Sequence, residues 1–373
     1  MNTTLFALFA ASVPSGLVPS SLASTGSVPG GPDPLAAATA PAKEAPASDA
    51  WSGFDAELER FVQDTDQGAP KRAEIHGLFK ALWSHLPNSD VTGEDRAGVS
   101  LDRVQLGMSG ELTDRAGYVL TLEGAGGGEV VLDAYGTWKA CQFANVTFGQ
   151  FRSPTVWESQ LDDGELLFIL RTDTGELFYT RDRGAMVSGS LEQLHWAAAV
   201  QNGLDSLEDR SSYSARVGLD VLGGGVGLRQ GAYDTGRHTR LSVGAGYYDE
   251  QSQGDGKDGD VLVADAQFQW GRFAADAMFG KYQEFSNPFF VDRSDSKPFN
   301  VSASYMLVEE LVETAVRYQD TDNVRQEKDF TFGINYYLAG HGLKVQLNAS
   351  YIFSDLDSLD DTVRIGLGAN LRI

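Results

Sequence analysis

The sequence predicts an all-β chain whose strands close into a transmembrane antiparallel β-barrel, and three observations carry that prediction. From Leu101 to Ile373, apolar and polar residues alternate with a period of two in segment after segment. The apolar side of these segments often ends in Trp or Tyr (Trp138, Tyr247, Trp270, Tyr318, Tyr351). The connections alternate between very short turns and long acidic loops.

Composition agrees. The chain has 373 residues, 42 of them Gly, which suits many strands joined by tight turns. No run of about 20 apolar residues marks a transmembrane helix, but barrel strands escape hydropathy because only alternate residues are apolar. The formal net charge of −23 argues against gripping nucleic-acid phosphates. Cys141 is the single cysteine, so there is no intrachain disulfide and no multi-cysteine metal site. It reads as a buried, structural thiol.

In chain order, residues 1–23 read as a signal peptide. "LFALFAA" is a short apolar core and "SSLAS" supplies the small residues of a cleavage site, although no Lys or Arg precedes Lys43. Residues 24–50 are an Ala/Pro-rich linker unable to bury a core. Residues 51–95 read as a short N-terminal helical segment. In it, Phe54, Leu58, Phe61 and Val62 share one face. Ile75, Leu78, Phe79, Leu82, Trp83 and Leu86 fall at helical spacing behind Pro70. Such faces would pack on each other or on the rest of the chain, serve oligomerisation, or plug a lumen.

The barrel is expected over 101–373. "VVLDAYGTWK" opposes Leu132, Ala134 and Trp138 to Asp133, Tyr135, Thr137 and Lys139. "LVADAQFQW", "FTFGINYYL" and "LKVQLNASYIF" repeat the pattern, and "TVRIGLGANLRI" carries it to Ile373. About fifteen such segments, each near the ~9–11 residues of a tilted barrel strand, predict 16 strands with 14 as the alternative. A soluble sandwich would alternate too, with its apolar face inward. The aromatic ends favour the inverted arrangement, apolar to lipid and polar to a wet lumen. So do the long acidic loops at 249–260, 283–298, 319–329 and 354–361, all on one rim.

One stretch goes beyond pattern. "NVTFGQFRSPTVWESQ" resembles a strand and the Gly-x-Phe-(Lys/Arg)-x-Pro-x-x-x-Glu segment of the phosphate-selective porin family, the porin O and P group. "RDRGAMVSGSLEQLHWAAAVQNG" and "SYSARVGLDVLG" are similar to the strands that follow in that family. The resemblance implies an outer-membrane porin, usually a homotrimer, with a constricting loop folded into the lumen. It implies a place in the bacterial outer membrane among lipid and lipopolysaccharide, and passive diffusion of small polar solutes or ions, including phosphate or other anions. The alternative is a soluble periplasmic β protein that binds ligands or partners. The natural constricting loop is 153–180, the longest barrel segment without clean alternation.

By parity, Lys139, Arg216, Arg240, Arg317, Lys344, Arg364 and Arg372 point inward, while Arg152, Arg171, Arg181 and Arg183 sit near the proposed constriction. Arg suits oxyanions because its planar fork makes paired, charge-assisted hydrogen bonds. Asp133, Asp220, Asp265, Asp276 and Glu313 share that face, and Asp162, Asp163, Glu165, Asp173 and Glu176 lie in the loop. Such a wall is of mixed charge, and a salt bridge is the competing role for each Arg. No cofactor or metal site is indicated: the histidines form no metal-ligand pair on one helix face, and the acidic loops lack calcium-loop spacing. No Gly-x-Ser-x-Gly elbow points to an enzyme. "GGGVGLRQG" (223–231) reads as a turn.

Overall fold

A computed structural model of the chain describes residues 73–89, 94–125, 130–203, 211–236, 238–251, 258–285, 295–356 and 361–373. Sixteen strands run β1 (Glu74–Ser89), β2 (Glu94–Glu111), β3 (Ala116–Glu123), β4 (Val131–Cys141), β5 (Ala144–Arg152), β6 (Arg181–Leu191), β7 (Leu194–Gln201), β8 (Ser212–Leu222), β9 (Thr239–Gln251), β10 (Asp258–Trp270), β11 (Phe273–Gln283), β12 (Phe299–Val308), β13 (Val312–Asp320), β14 (Glu327–Tyr337), β15 (Leu343–Ser354) and β16 (Thr362–Arg372). Each pairs antiparallel with its sequence neighbours, and β1 pairs with β16, so the sheet closes and leaves no edge.

The inverted arrangement is the one observed. On β14, Phe330 and Phe332 are 46 % and 43 % exposed on the outside, whereas Thr331 between them is 1 % exposed inside. A sandwich would bury the phenylalanines instead. Trp138 and Trp270 lie toward the rim that holds the chain's last strand end, and Tyr247, Tyr318 and Tyr351 toward the opposite one. We call these the terminal rim and the loop rim.

The expected helix over 70–86 is corrected: Glu74–Ser89 is strand β1, and the barrel begins there rather than at Leu101. The reason is that β1 is apolar on both faces. Ile75, Phe79 and Trp83 are exposed on the outside, while Leu78 and Leu82 are buried on the inside. Two interleaved period-two sets then mimic i, i+3, i+4 spacing. Residues 94–100, left outside the barrel by the sequence reading, are the first part of β2. The signal peptide, the linker and the helical pattern at 54–62 lie outside the described residues.

Cys141 is also corrected: it is exposed, because it ends β4 beside the turn at 142–143. Most terminal-rim connections are short, as at 192–193, 271–272 and 309–311. The exception is 223–238, which the sequence presented as a turn.

Candidate functional site

Residues 153–180 leave β5 at the loop rim and fold inside the barrel. They contain two short helices, α1 (Trp157–Gln160) and α2 (Asp173–Leu177), and a 3-10 turn at Asp163–Glu165. The side chain of Thr172 accepts the Gly175 amide at 3.1 Å and caps α2. Val156, Leu177 and Phe178 enter an apolar cluster with Tyr248, Val261, Val263, Met278 and Tyr282 from β9–β11. Leu167 and Phe168 pack on Ala315.

Between these apolar anchors the loop backbone is extended and has no strand to pair with. A buried carbonyl or amide needs a partner, and wall side chains supply it. Lys80 Nζ donates to Ile169 O at 2.7 Å, Asn335 to Leu167 O at 3.0 Å and Arg317 to Leu170 O at 2.9 Å. Lys344 donates to Leu166 O, and Ile169 N donates to Asn348 Oδ1 at 2.7 Å. Asp173 N donates to Gln319 at 3.2 Å.

Where the loop returns to β6, four arginines surround one buried tyrosine. The guanidinium carbons of Arg171, Arg181, Arg152 and Arg103 lie 3.7, 4.3, 4.5 and 5.6 Å from the Tyr179 ring centre. Cations over an aromatic face are attracted by its quadrupole, and neighbouring acids keep the like charges together. Asp163 accepts Arg103 at 3.0 Å, Arg171, and the Tyr179 hydroxyl at 3.1 Å, with Lys80 3.6 Å away. Asp133 accepts Arg181 at 3.2 and 3.4 Å. Arg152 donates to Asp162 at 3.2 Å and to the carbonyls of Gln160 and Leu161 at 3.1 Å.

The charge balance shows in the acidities. Burial pushes the Asp163 carboxyl up, but Arg171, Lys80 and Arg103 outweigh it and hold the group well below the usual range. Burial also raises the Tyr179 phenol, yet Arg181, Arg152 and Arg171 bring it below its ordinary value. At Asp173 burial outweighs the Gln319 hydrogen bond and the Arg364 charge, and pushes the carboxyl up to about 6.

The predicted cations therefore separate into groups. Arg152, Arg171 and Arg181 converge on Tyr179. Arg171, Arg317 and Lys344 are buried loop anchors. Arg216 grips Asp265 with both nitrogens at 2.7 Å, and Arg364 lies 3.5 Å from Asp329. Lys139 faces the lumen, exposed, 3.4 Å from Glu111. Arg183, two residues along β6 from Arg181, is exposed and is not one of the four arginines around Tyr179. Sequence reasoning missed Arg103 and Lys80. Lys80 falls on the inward face as soon as 74–89 is taken as a strand.

A second segment enters from the other rim. In 223–238, Val226, Gln230, Ala232 and Thr235 are buried. Gln230 N donates to Glu165 O at 3.1 Å, and Leu167 N to Gln230 Oε1 at 3.0 Å. Trp157 Nε1 donates to Gly227 O at 3.0 Å, so the two inward segments touch inside the barrel. Glu313 accepts the Ala232 amide and the Tyr337 hydroxyl, and Tyr233 packs on Tyr337 with ring centres 4.5 Å apart. Beside them, burial and then Lys344 lower His341 to about 3, so it is neutral in the fold.

Comparison with known proteins agrees with this geometry. A family model described as phosphate-selective porin O and P matches residues 79–277, starting inside β1. The anion-selective porin from Comamonas acidovorans has a similar structure (TM-score 0.57, 12% identity, 81% of this chain and 100% of that one). So does in-vitro folded OmpT, an outer membrane protein of Vibrio cholerae in its trimer form (TM-score 0.56, 11% identity, 82% and 100%). A triple mutant of the Rh. blastica porin follows (TM-score 0.52, 12% identity, 81% and 100%). No curated protein matches the chain by sequence.

Proposed function

This chain belongs to the phosphate-selective porin O and P family, an outer-membrane porin by family and fold, and from that premise we propose what its lumen passes. Small polar solutes and ions diffuse through it passively, with a weak preference for small anions. The observation that carries this is the cluster of Arg103, Arg152, Arg171 and Arg181 around Tyr179. The family's description and the Comamonas neighbour's anion selectivity support the sign of the preference. Its weakness follows from the pairing: each of the four is already matched by an acid or a carbonyl, so the section is of mixed charge rather than an anion funnel.

Arg152 is the member to test. It is held by an exposed acid, Asp162, and by carbonyls, so its removal leaves no buried carboxylate unpaired. In planar bilayers under a potassium chloride gradient, Arg152→Ala shifts the reversal potential toward cation preference. An unchanged potential means that Arg152 does not line the limiting section. Channel-type family and fold also make the homotrimer and contact with lipid and lipopolysaccharide the natural setting. The trimer form of the Vibrio protein and the apolar outer belt support it.

A further inference from the structure

The outer wall at the loop rim carries a charge arrangement that the fold itself leaves unused. On β11, Met278 and Tyr282 are buried inside, so Phe279, Lys281 and Gln283 face out. On the chain leading into β12, Ser296 and Asn300 are buried, so Lys297 and Phe299 face out. The register sets these side chains against each other. Phe279 pairs with Phe299, and Tyr282 and Ser296 exchange backbone bonds of 2.8 and 3.3 Å, which places Lys281 directly across from Lys297.

Directly opposed residues of an antiparallel pair have Cβ atoms about 4.5–5.5 Å apart, and like charges there repel. No acid relieves this pair. Among the described residues, the Lys281 ammonium donates only to Gln283 Oε1, at 2.7 Å, and the Lys297 ammonium has no ion pair. Asp322 takes the backbone amide of Lys297 at 2.7 Å, not its side chain. Asp260, opposite Gln283, and Asp320, opposite Phe299 and Lys328, pair with neither lysine. The outward lysine on β14, Lys328, is by contrast matched by Asp355 at 2.5 Å. In a chain with 52 acidic and 29 basic residues, two cations set side by side without an acid call for an anion from outside.

Their position identifies that anion. Along the wall toward the terminal rim the outward surface turns apolar, with Phe279, Phe299 and Val301 exposed. Long loops mark the extracellular side of an outer-membrane barrel. The lysines therefore stand where hydrocarbon gives way to the headgroups of the outer leaflet, with their stems on apolar surface and their ammoniums at the interface. We propose that Lys281 and Lys297 form a binding site on the outside of the barrel for a phosphate group of lipopolysaccharide. The phosphate lies between the two ammoniums, each acting as a point charge, and the acyl chains lie on Phe279, Phe299 and Val301.

This rests on the outer-membrane reading and is independent of what the lumen passes. The test uses the full-length protein refolded in zwitterionic detergent and titrated with fluorescently labelled lipopolysaccharide. Lys281→Gln and Lys297→Gln each raise the half-saturating concentration about fivefold, and the double variant about thirtyfold, as expected for two cations at an anionic lipid surface. Replacing both lysines by Arg keeps the binding. Arg272→Gln, at the terminal rim and paired with Glu309 at 2.8 Å, leaves it unchanged. Dephosphorylated lipopolysaccharide binds the wild type no better than the double variant. Heat-modifiable migration reports that each variant is a closed barrel; should the double variant fail to close, the single variants carry the comparison. Wild-type affinity in the glutamine variants, equal binding of intact and dephosphorylated lipid, or full displacement by inorganic phosphate alone overturns the site. A wild type that shows the whole binding pattern but does not conduct overturns the channel reading alone.

Discussion

Two segments enter the lumen from opposite rims, and they are held by different means. The 153–180 loop is apolar where it meets β9–β11 and is clamped elsewhere by buried charge. The 223–238 segment is rich in glycine and held by hydrogen bonds, with Glu313 as its main post, and by Ala232 and Tyr233 packed with Ala274, Met306 and Tyr337. The first stands on groups that are costly to leave unpaired. The second stands on backbone shape. Stability against change should therefore differ between them, although they meet at Trp157–Gly227 and Leu167–Gln230.

The largest effect is expected at Asp163. Asp163→Asn leaves Arg171, Arg103 and Lys80 facing one another without their shared counter-charge, at about 3–5 kcal/mol. Guanidinium unfolding in detergent measures it, and single-channel recordings become noisy as the loop comes free. A loss under about 1 kcal/mol would mean that the apolar cluster alone holds the loop.

A smaller loss is expected on the other side. Gly231 has φ +88, and an added Cβ would sit 2.9 Å from both Glu313 carboxylate oxygens. Gly231→Ala should cost about 1–3 kcal/mol and change conductance while leaving the Arg152-dependent reversal potential intact. A change in that potential as well would show that the two segments move as one body.

The smallest effect is a pH slope. Asp173 titrates at about 6 in the fold and at ~3.9 in the unfolded chain. The folded state binds the extra proton between these values, so this group makes stability rise as pH falls from about 7 to about 4. Asp163 is held low, so its contribution is present above ~3.9 and fades as pH drops further. Asp173→Asn should flatten the slope between pH 4 and 6, in unfolding curves taken across that range, and leave the acid limb in place. An unaltered slope would assign it to other groups.

Much of this was legible beforehand. Alternation in β10, β14, β15 and β16 is strict because one face meets lipid and the other meets water or polar loop atoms, and nothing else interferes. The constricting loop was visible as a gap in that alternation. β1 was not legible, because its inward Leu78 and Leu82 answer to Phe168, Ile169 and Gly164 of a loop about ninety residues away. Alternation assigns faces only within a strand, so near the strand end at the rim it could not separate Arg181, which meets Tyr179, from exposed Arg183 of the same parity. The inward course of 223–238 left no mark, since glycines serve a turn and a lumen segment equally.

The sequence by itself determined the kind of architecture: a closed antiparallel barrel, greasy outside, with one long loop available to fold inward, while the first of its sixteen strands became visible only in the fold. It could do so because side-chain parity is a local property of a strand. Only the tertiary structure decided which cations remain free. Arg171, Arg317 and Lys344 looked like pore charges and proved to be anchors, while Arg240 kept an open guanidinium. That distinction depends on what stands opposite each side chain across the lumen, and the residues that meet there come from strands far apart in the chain.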